Sequence, residues 1–256
     1  MNLRTRVIPC LLLRRGGLVK TVRFTDATYV GDPINAVRIF NDKEVDELML
    51  LDIDATREGR EPDFERIHDI VSEAFMPVAY GGGIRTVEQA ARVIALGVEK
   101  VVLNHAALHD PEIIAGVAAR LGSSSTVVAI DVKSDWLGRP RVYDAVARKL
   151  TGADPIRQLV LAQQAGAGET LIYSVDRDGT GKGFDLDLLR AAAGALSVPV
   201  VVCGGAGSLD DFRSAAAVGA AGIAAGSLFV FVGRHRAVMI NYPSQQRLRE
   251  LFPSSL

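Results

Sequence analysis

The chain has 256 residues, 48% of them hydrophobic and 23% charged, which excludes wholesale disorder, collagen and low-complexity classes. Lys and Arg number 29 against 30 Asp and Glu, and no dense basic stripe appears, which excludes binding by neutralisation of a nucleic-acid backbone. The two cysteines, Cys10 and Cys203, lack CxxC or paired-histidine spacing and read as structural thiols of a reducing compartment.

From the start of the chain, Arg4 and Arg6 before the apolar run Val7 to Leu13 imitate a signal peptide. The run is short and no small-residue cleavage site follows, so it reads as a first strand. Further apolar runs follow at Leu48 to Ile53, Val78 to Tyr80, Val101 to Leu103, Thr126 to Val132, Thr170 to Val175, Val198 to Cys203 and Ile223 to Ala225. Segments of helical period lie between them, as in Ile34-Val37-Ile39-Phe40 and Ile113-Val117-Leu121. Alternation of strand and helix through the whole length implies parallel strands.

Helix starts are predicted at Asp32-Pro33, Asp110-Pro111 and Asp154-Pro155, with capping boxes at Thr86/Gln89 and Ser208/Asp211. Gly97, Gly166 and Gly219 stand where left-handed helix ends belong. The charge-free stretches Ala191 to Leu209 and Ser214 to Gly233 reach membrane-spanning length, but Pro199 and their many Gly and Ala argue against spanning. The expected fold is one (β/α)8 barrel over residues 1–256, cytoplasmic and without membrane contact. Gly204 follows Gly81 by 123 residues and Glu169 follows Glu47 by 122, as half-barrel duplication would give.

Glycines closing strands three and seven, Gly81-Gly82-Gly83 and Gly204-Gly205, precede capped helices and leave backbone N–H groups at the barrel mouth. They read either as phosphate cradles or as tight turns; Asp178-Gly179-Thr180 and Gly226-Ser227 add two further turns at the same end. Asp131 ends strand five, where a carboxylate serves acid-base chemistry, while strand one offers Leu12 rather than a second acid. At the opposite end, Arg6, Glu47, Lys100 and Glu169 head strands one, two, four and six with alternating sign. They read either as a neutral ring across the floor or as unrelated surface charges. The histidines, His68, His105, His109 and His235, read as lacking metal spacing; no metal and no cofactor is expected.

Ile8-Pro9-Cys10-Leu11, Gly17-Leu18-Val19-Lys20, Gly31-Asp32-Pro33, Leu51-Asp52-Ile53, Gly81-Gly82-Gly83-Ile84-Arg85, Asp131, Asp176-Arg177-Asp178-Gly179-Thr180 and Gly204-Gly205-Ala206-Gly207-Ser208 resemble the cyclase subunit of imidazole glycerol phosphate synthase. The resemblance runs through nearly the whole chain in order. It implies a glutaminase partner on the barrel floor, ammonia passing a charged gate of Arg6, Glu47, Lys100 and Glu169, and a phosphorylated ligand at the mouth. It makes Gly82, Asn104, Asp178, Gly179, Gly205, Gly226 and Ser227 candidate phosphate-binding residues and Asp131 one of two catalytic aspartates. Leu12 stands where the family has the other. In this respect the chain is similar to the cyclase-like proteins of acetamidino-sugar synthesis for surface polysaccharides, which implies a separate sugar amidotransferase as third partner; the alternative is a working cyclase of histidine biosynthesis.

Overall fold

The computed structural model describes residues 4–252. Eight parallel strands, β1 (Arg6–Arg14), β2 (Leu48–Asp52), β3 (Val78–Gly81), β4 (Lys100–Leu103), β5 (Thr126–Ser134), β6 (Glu169–Ser174), β7 (Val200–Cys203) and β8 (Gly222–Ala225), close into a barrel. On β1, Cys10 stands opposite Met49 of β2 and Arg6 opposite Gly222 of β8; Glu169 opposite Val127 joins β6 to β5. Both faces of each strand are covered, which is why the strands read as unbroken apolar runs rather than alternating ones.

The outer ring consists of α1 (Pro33–Asp42), α2 (Phe64–Val71), α3 (Val87–Ala95), α4 (Glu112–Leu121), α5 (Pro155–Gln164), α6 (Leu186–Ala195), α7 (Leu209–Val218) and α8 (Gln245–Leu251). Asp32 and Asp154 cap α1 and α5 as expected, and Ser208 with Asp211 forms the full capping box of α7. At α3 the box is displaced by one residue: Thr86 caps, but the Gln89 side chain accepts from the Arg85 N–H. Asp110 stands one residue outside the cap of α4 and still accepts the Glu112 N–H. No helix among the described residues is long and apolar enough to cross a membrane.

Two antiparallel hairpins rise from the mouth. One follows β1 through strands Gly17–Val22 and Thr25–Gly31; the other continues β5 into Pro140–Asp144 and Lys149–Leu150. Trp136 lies at the bend of the second and is 88% exposed, as an open connector would have it. The apolar residues divide into a shell between strands and helices and a separate cluster inside the barrel. Ile8, Cys10 and Leu12 belong to the inner cluster, so Arg6 shares their inward face by the two-residue period.

In the outer shell Phe212 of α7 is fully buried between Phe184 and Phe229, with ring centroids 6.2 and 5.9 Å away. Phe212→Ala should lower stability by about 3 to 5 kcal/mol, read as a lower urea midpoint; an unchanged midpoint would mean that this cluster does not hold α7 to the barrel.

Candidate functional site

At the floor, Arg6 opens β1, Glu47 immediately precedes β2, Lys100 opens β4 and Glu169 opens β6. Arg6 pairs with both Glu47 and Glu169. Lys100 Nζ lies 3.0 Å from Glu47 Oε2 and 2.8 Å from Glu169 Oε2. Each cation therefore bridges both acids, and the four side chains form a closed ring of zero formal charge. Both glutamates are buried, and each lies between two cations that offset the cost of its burial. Burial pulls the Arg6 pKa down, but the Glu169 and Glu47 carboxylates outweigh it and hold the guanidinium above its ordinary value.

Above the ring the barrel is apolar: Ile8, Met49, Ala79, Val127, Leu171 and Val201 fill it. Cys10 and Cys203 lie higher, both buried as free thiols.

The mouth holds a cavity of about 460 Å³ whose lining includes Leu12, Gly82, Asn104 and Asp131. Five cations line it, Arg14, Arg23, Arg57, Lys133 and Arg148, against the carboxyl groups of Asp26, Asp52 and Asp131, so its field favours an anionic ligand. Asp131 is buried, and its Oδ2 accepts a 3.3 Å bond from Asn104 Nδ2, which also donates to the Ala129 carbonyl at 3.0 Å. Burial pushes the Asp131 carboxyl up to about 7, with Asp144 and Asp178 adding to the rise and Asn104 opposing it. Leu12, only 4% exposed, presents hydrocarbon to the same cavity. Two further acids near this end, Asp54 and Asp176, are engaged elsewhere. Asp54 pairs with Arg14 and Arg57, Asp176 accepts the Ser134 N–H at 2.7 Å, and neither lines the cavity.

The candidate phosphate residues fall into two groups. Gly82 and Asn104 line the main cavity, whereas Asp178, Gly179, Gly205, Gly226 and Ser227 surround a second space of only about 20 Å³. The buried Lys20 of the first hairpin lines that second space, its Nζ donating to the Cys10 carbonyl. The Asp178 carboxylate is taken up by the same hairpin, where Thr21 Oγ1 donates to it at 2.7 Å and Phe24 N–H at 3.3 Å, and by Tyr173 Oη of β6 at 3.1 Å. Phe24 also packs edge-on against Tyr173, with centroids 5.0 Å apart. Gly82 and Gly205, 123 residues apart, share φ values of +119° and +115°. A Cβ at either would run into a carbonyl, of Asp52 or of Gly183, so backbone packing by itself demands glycine at both.

The histidines need a correction. His105 and His109, four residues apart on the one-turn helix His105–His109, are brought together with Asp144, and one ligand atom of each lies within 4.8 Å of the others. Four is the spacing that puts two side chains on one helix face, a signal the sequence carries and the reading above passed over. Lys20 was legible only as part of a motif, and Tyr173 stood unremarked inside an apolar run.

The chain matches the family described as "Histidine biosynthesis protein" over residues 6–235. It is 48% identical over 252 residues to the "Putative imidazole glycerol phosphate synthase subunit HisF" of Leptospira interrogans, covering 98% of this chain and 99% of that one. It is 50% identical over 248 residues to the "Putative imidazole glycerol phosphate synthase subunit hisF2" of Pseudomonas aeruginosa, covering 96% and 98%. To the "Imidazole glycerol phosphate synthase subunit HisF" of Streptococcus sanguinis it is 41% identical over 222 residues, covering 85% and 88%.

Asp131 gives the mouth a measurable pH signature. Its folded pKa lies above the ordinary carboxylate value, so the unfolded chain loses the proton first and this group's contribution to stability falls as pH rises from about 4 to about 7. Three pKa units correspond to about 4 kcal/mol at most. Asp131→Asn should therefore be more stable than the parent at pH 8, with the gap closing at pH 4; equal stability at both pH values in urea titrations would place the carboxylate in water.

Proposed function

Because the chain belongs to the histidine biosynthesis protein family, and within it to the HisF family, we propose that it is a HisF-like synthase subunit that takes ammonia through the barrel floor from a glutaminase partner. The observation that carries this reading is the closed ring of Arg6, Glu47, Lys100 and Glu169. A neutral ring excludes bulk ions from the interior, yet its four contacts can exchange one at a time for a small uncharged hydrogen-bonding molecule. The apolar barrel above it suits ammonia rather than ammonium. On the floor side, Phe75 in the α2–β3 loop is 88% exposed, an apolar anchor of the kind that partner interfaces use.

At the mouth, the excess of cations and the two groups of candidate phosphate residues support a phosphorylated small-molecule ligand. Gly82 and Asn104 would serve one phosphate end; the backbone of Gly179, Gly205, Gly226 and Ser227 would serve the other beside Lys20, with Asp178 fixing the hairpin. Asp131, half protonated near neutral pH, fits an acid-base role. The carboxylate that would work opposite it is replaced by Leu12, and the loss of one such group costs about 10²- to 10⁴-fold in rate. This favours delivery of ammonia to chemistry completed outside the barrel, for which acetamidino modification of a surface-polysaccharide sugar by a separate amidotransferase is the specific form we propose. The second reading, a histidine-pathway cyclase in its own right, draws on Asp131 and the mouth turns.

Given the family's bis-phosphorylated ribonucleotide and ammonium salt, the purified chain should show negligible cyclisation, and Leu12→Asp should raise it by about 10²-fold. Parent turnover at an ordinary cyclase rate would establish the second reading instead. In the glutaminase complex, Lys100→Ala or Glu169→Ala should impair glutamine-dependent transfer with an unchanged circular dichroism spectrum; full transfer in both would reduce the ring to scaffold.

A further inference from the structure

We propose that His105, His109 and Asp144 form a binding site for one divalent transition-metal ion of the zinc class at the rim of the barrel mouth. The proposal does not depend on the ammonia reading. The two histidines come from the one-turn helix after β4, and their rings lie with centroids 4.4 Å apart. Asp144 ends the strand Pro140–Asp144 of the second hairpin, so the three residues join two separate excursions.

Asp144 is prepared as a ligand. Its side chain is 1% exposed, and Oδ1 accepts N–H bonds from Val146 at 3.0 Å and Ala147 at 2.9 Å, which fix the carboxylate's orientation. His109 Nε2 lies 2.8 Å from Oδ2.

His105 supplies the observation that points to an ion. Its Nδ1 is buried and has no hydrogen-bond partner, although it lies 3.3 Å from Asp144 Oδ1. Whether Nδ1 carries a lone pair or a proton, the direction it points in the ring plane meets no hydrogen-bond partner, while the Asp144 carboxylate stands beside it. A cation between them resolves both cases. Bonds of about 2.0 to 2.1 Å in tetrahedral geometry need ligand atoms roughly 3.3 Å apart; His105 Nδ1 and Asp144 Oδ1 stand 3.3 Å apart, and the three ligand atoms all lie within 4.8 Å of one another. Two imidazoles with one carboxylate select zinc and its transition-metal neighbours over calcium or magnesium, which favour all-oxygen sites. Three protein ligands leave a coordination position open, and His105 also lines the mouth cavity, so an ion here would stand at the edge of the space that contains Asp131.

The test is titration of the chelator-treated chain with zinc chloride by calorimetry, with metal content measured by mass spectrometry. The proposal predicts one ion per chain. His109→Gln and Asp144→Asn should each weaken binding by roughly tenfold or more, whereas His68→Ala and His235→Ala should not. His109 is half exposed, so His109→Gln keeps the test valid if loss of the buried Asp144 unfolds the hairpin. No zinc uptake, or uptake unchanged in both His109→Gln and Asp144→Asn, would show a plain hydrogen-bonded His-Asp cluster and overturn the proposal.

Discussion

The arrangement of this molecule depends on four charges meeting at one end of a closed cylinder. Arg6, Glu47, Lys100 and Glu169 stand as far as 163 residues apart in the chain, and barrel closure makes them neighbours. Two acids and two bases in alternation give each buried glutamate two cations as partners. The ring in turn makes the two ends chemically unlike. One is sealed by a neutral network; the other opens into a cavity with more cations than carboxylates.

Between these ends the interior carries little chemistry. Leu12 continues the hydrocarbon of Ile8, Met49 and Leu171 into the cavity where Asp131 stands. A lone carboxyl raised by burial can hold or release a proton near neutral pH, but it has no opposed acid on β1. The first hairpin packs over the same end, its own Lys20 donating to the Cys10 carbonyl and Asp178 serving as its anchor.

Much of this was legible in the sequence because it follows short-range rules. The eight barrel strands announced themselves as apolar runs, and the alternating signs at four strand heads left a ring across the floor as one of two readings. The hairpins were missed for a physical reason. The turn at Arg23 and Phe24 adopts φ values of +54° and +61° without glycine or asparagine, so no turn signal marks it. The junction of His105 and His109 with Asp144 spans 39 and 35 residues, and no spacing rule reaches across a barrel loop and a hairpin. Gly82 and Gly205 were ambiguous because the same residue satisfies backbone packing and a phosphate cradle.

If the floor is the entry, a glutaminase partner must cover it. Hydrogen exchange of the chain with and without that subunit reads this directly, because the loops leading into β2, β3, β4 and β6 lie at the floor and the two hairpins at the mouth. The account predicts slowed exchange across residues 43–47, 72–77, 96–99 and 166–168 on adding the partner, with the hairpins unprotected. Protection confined to residues 17–31 and 135–150 would contradict it.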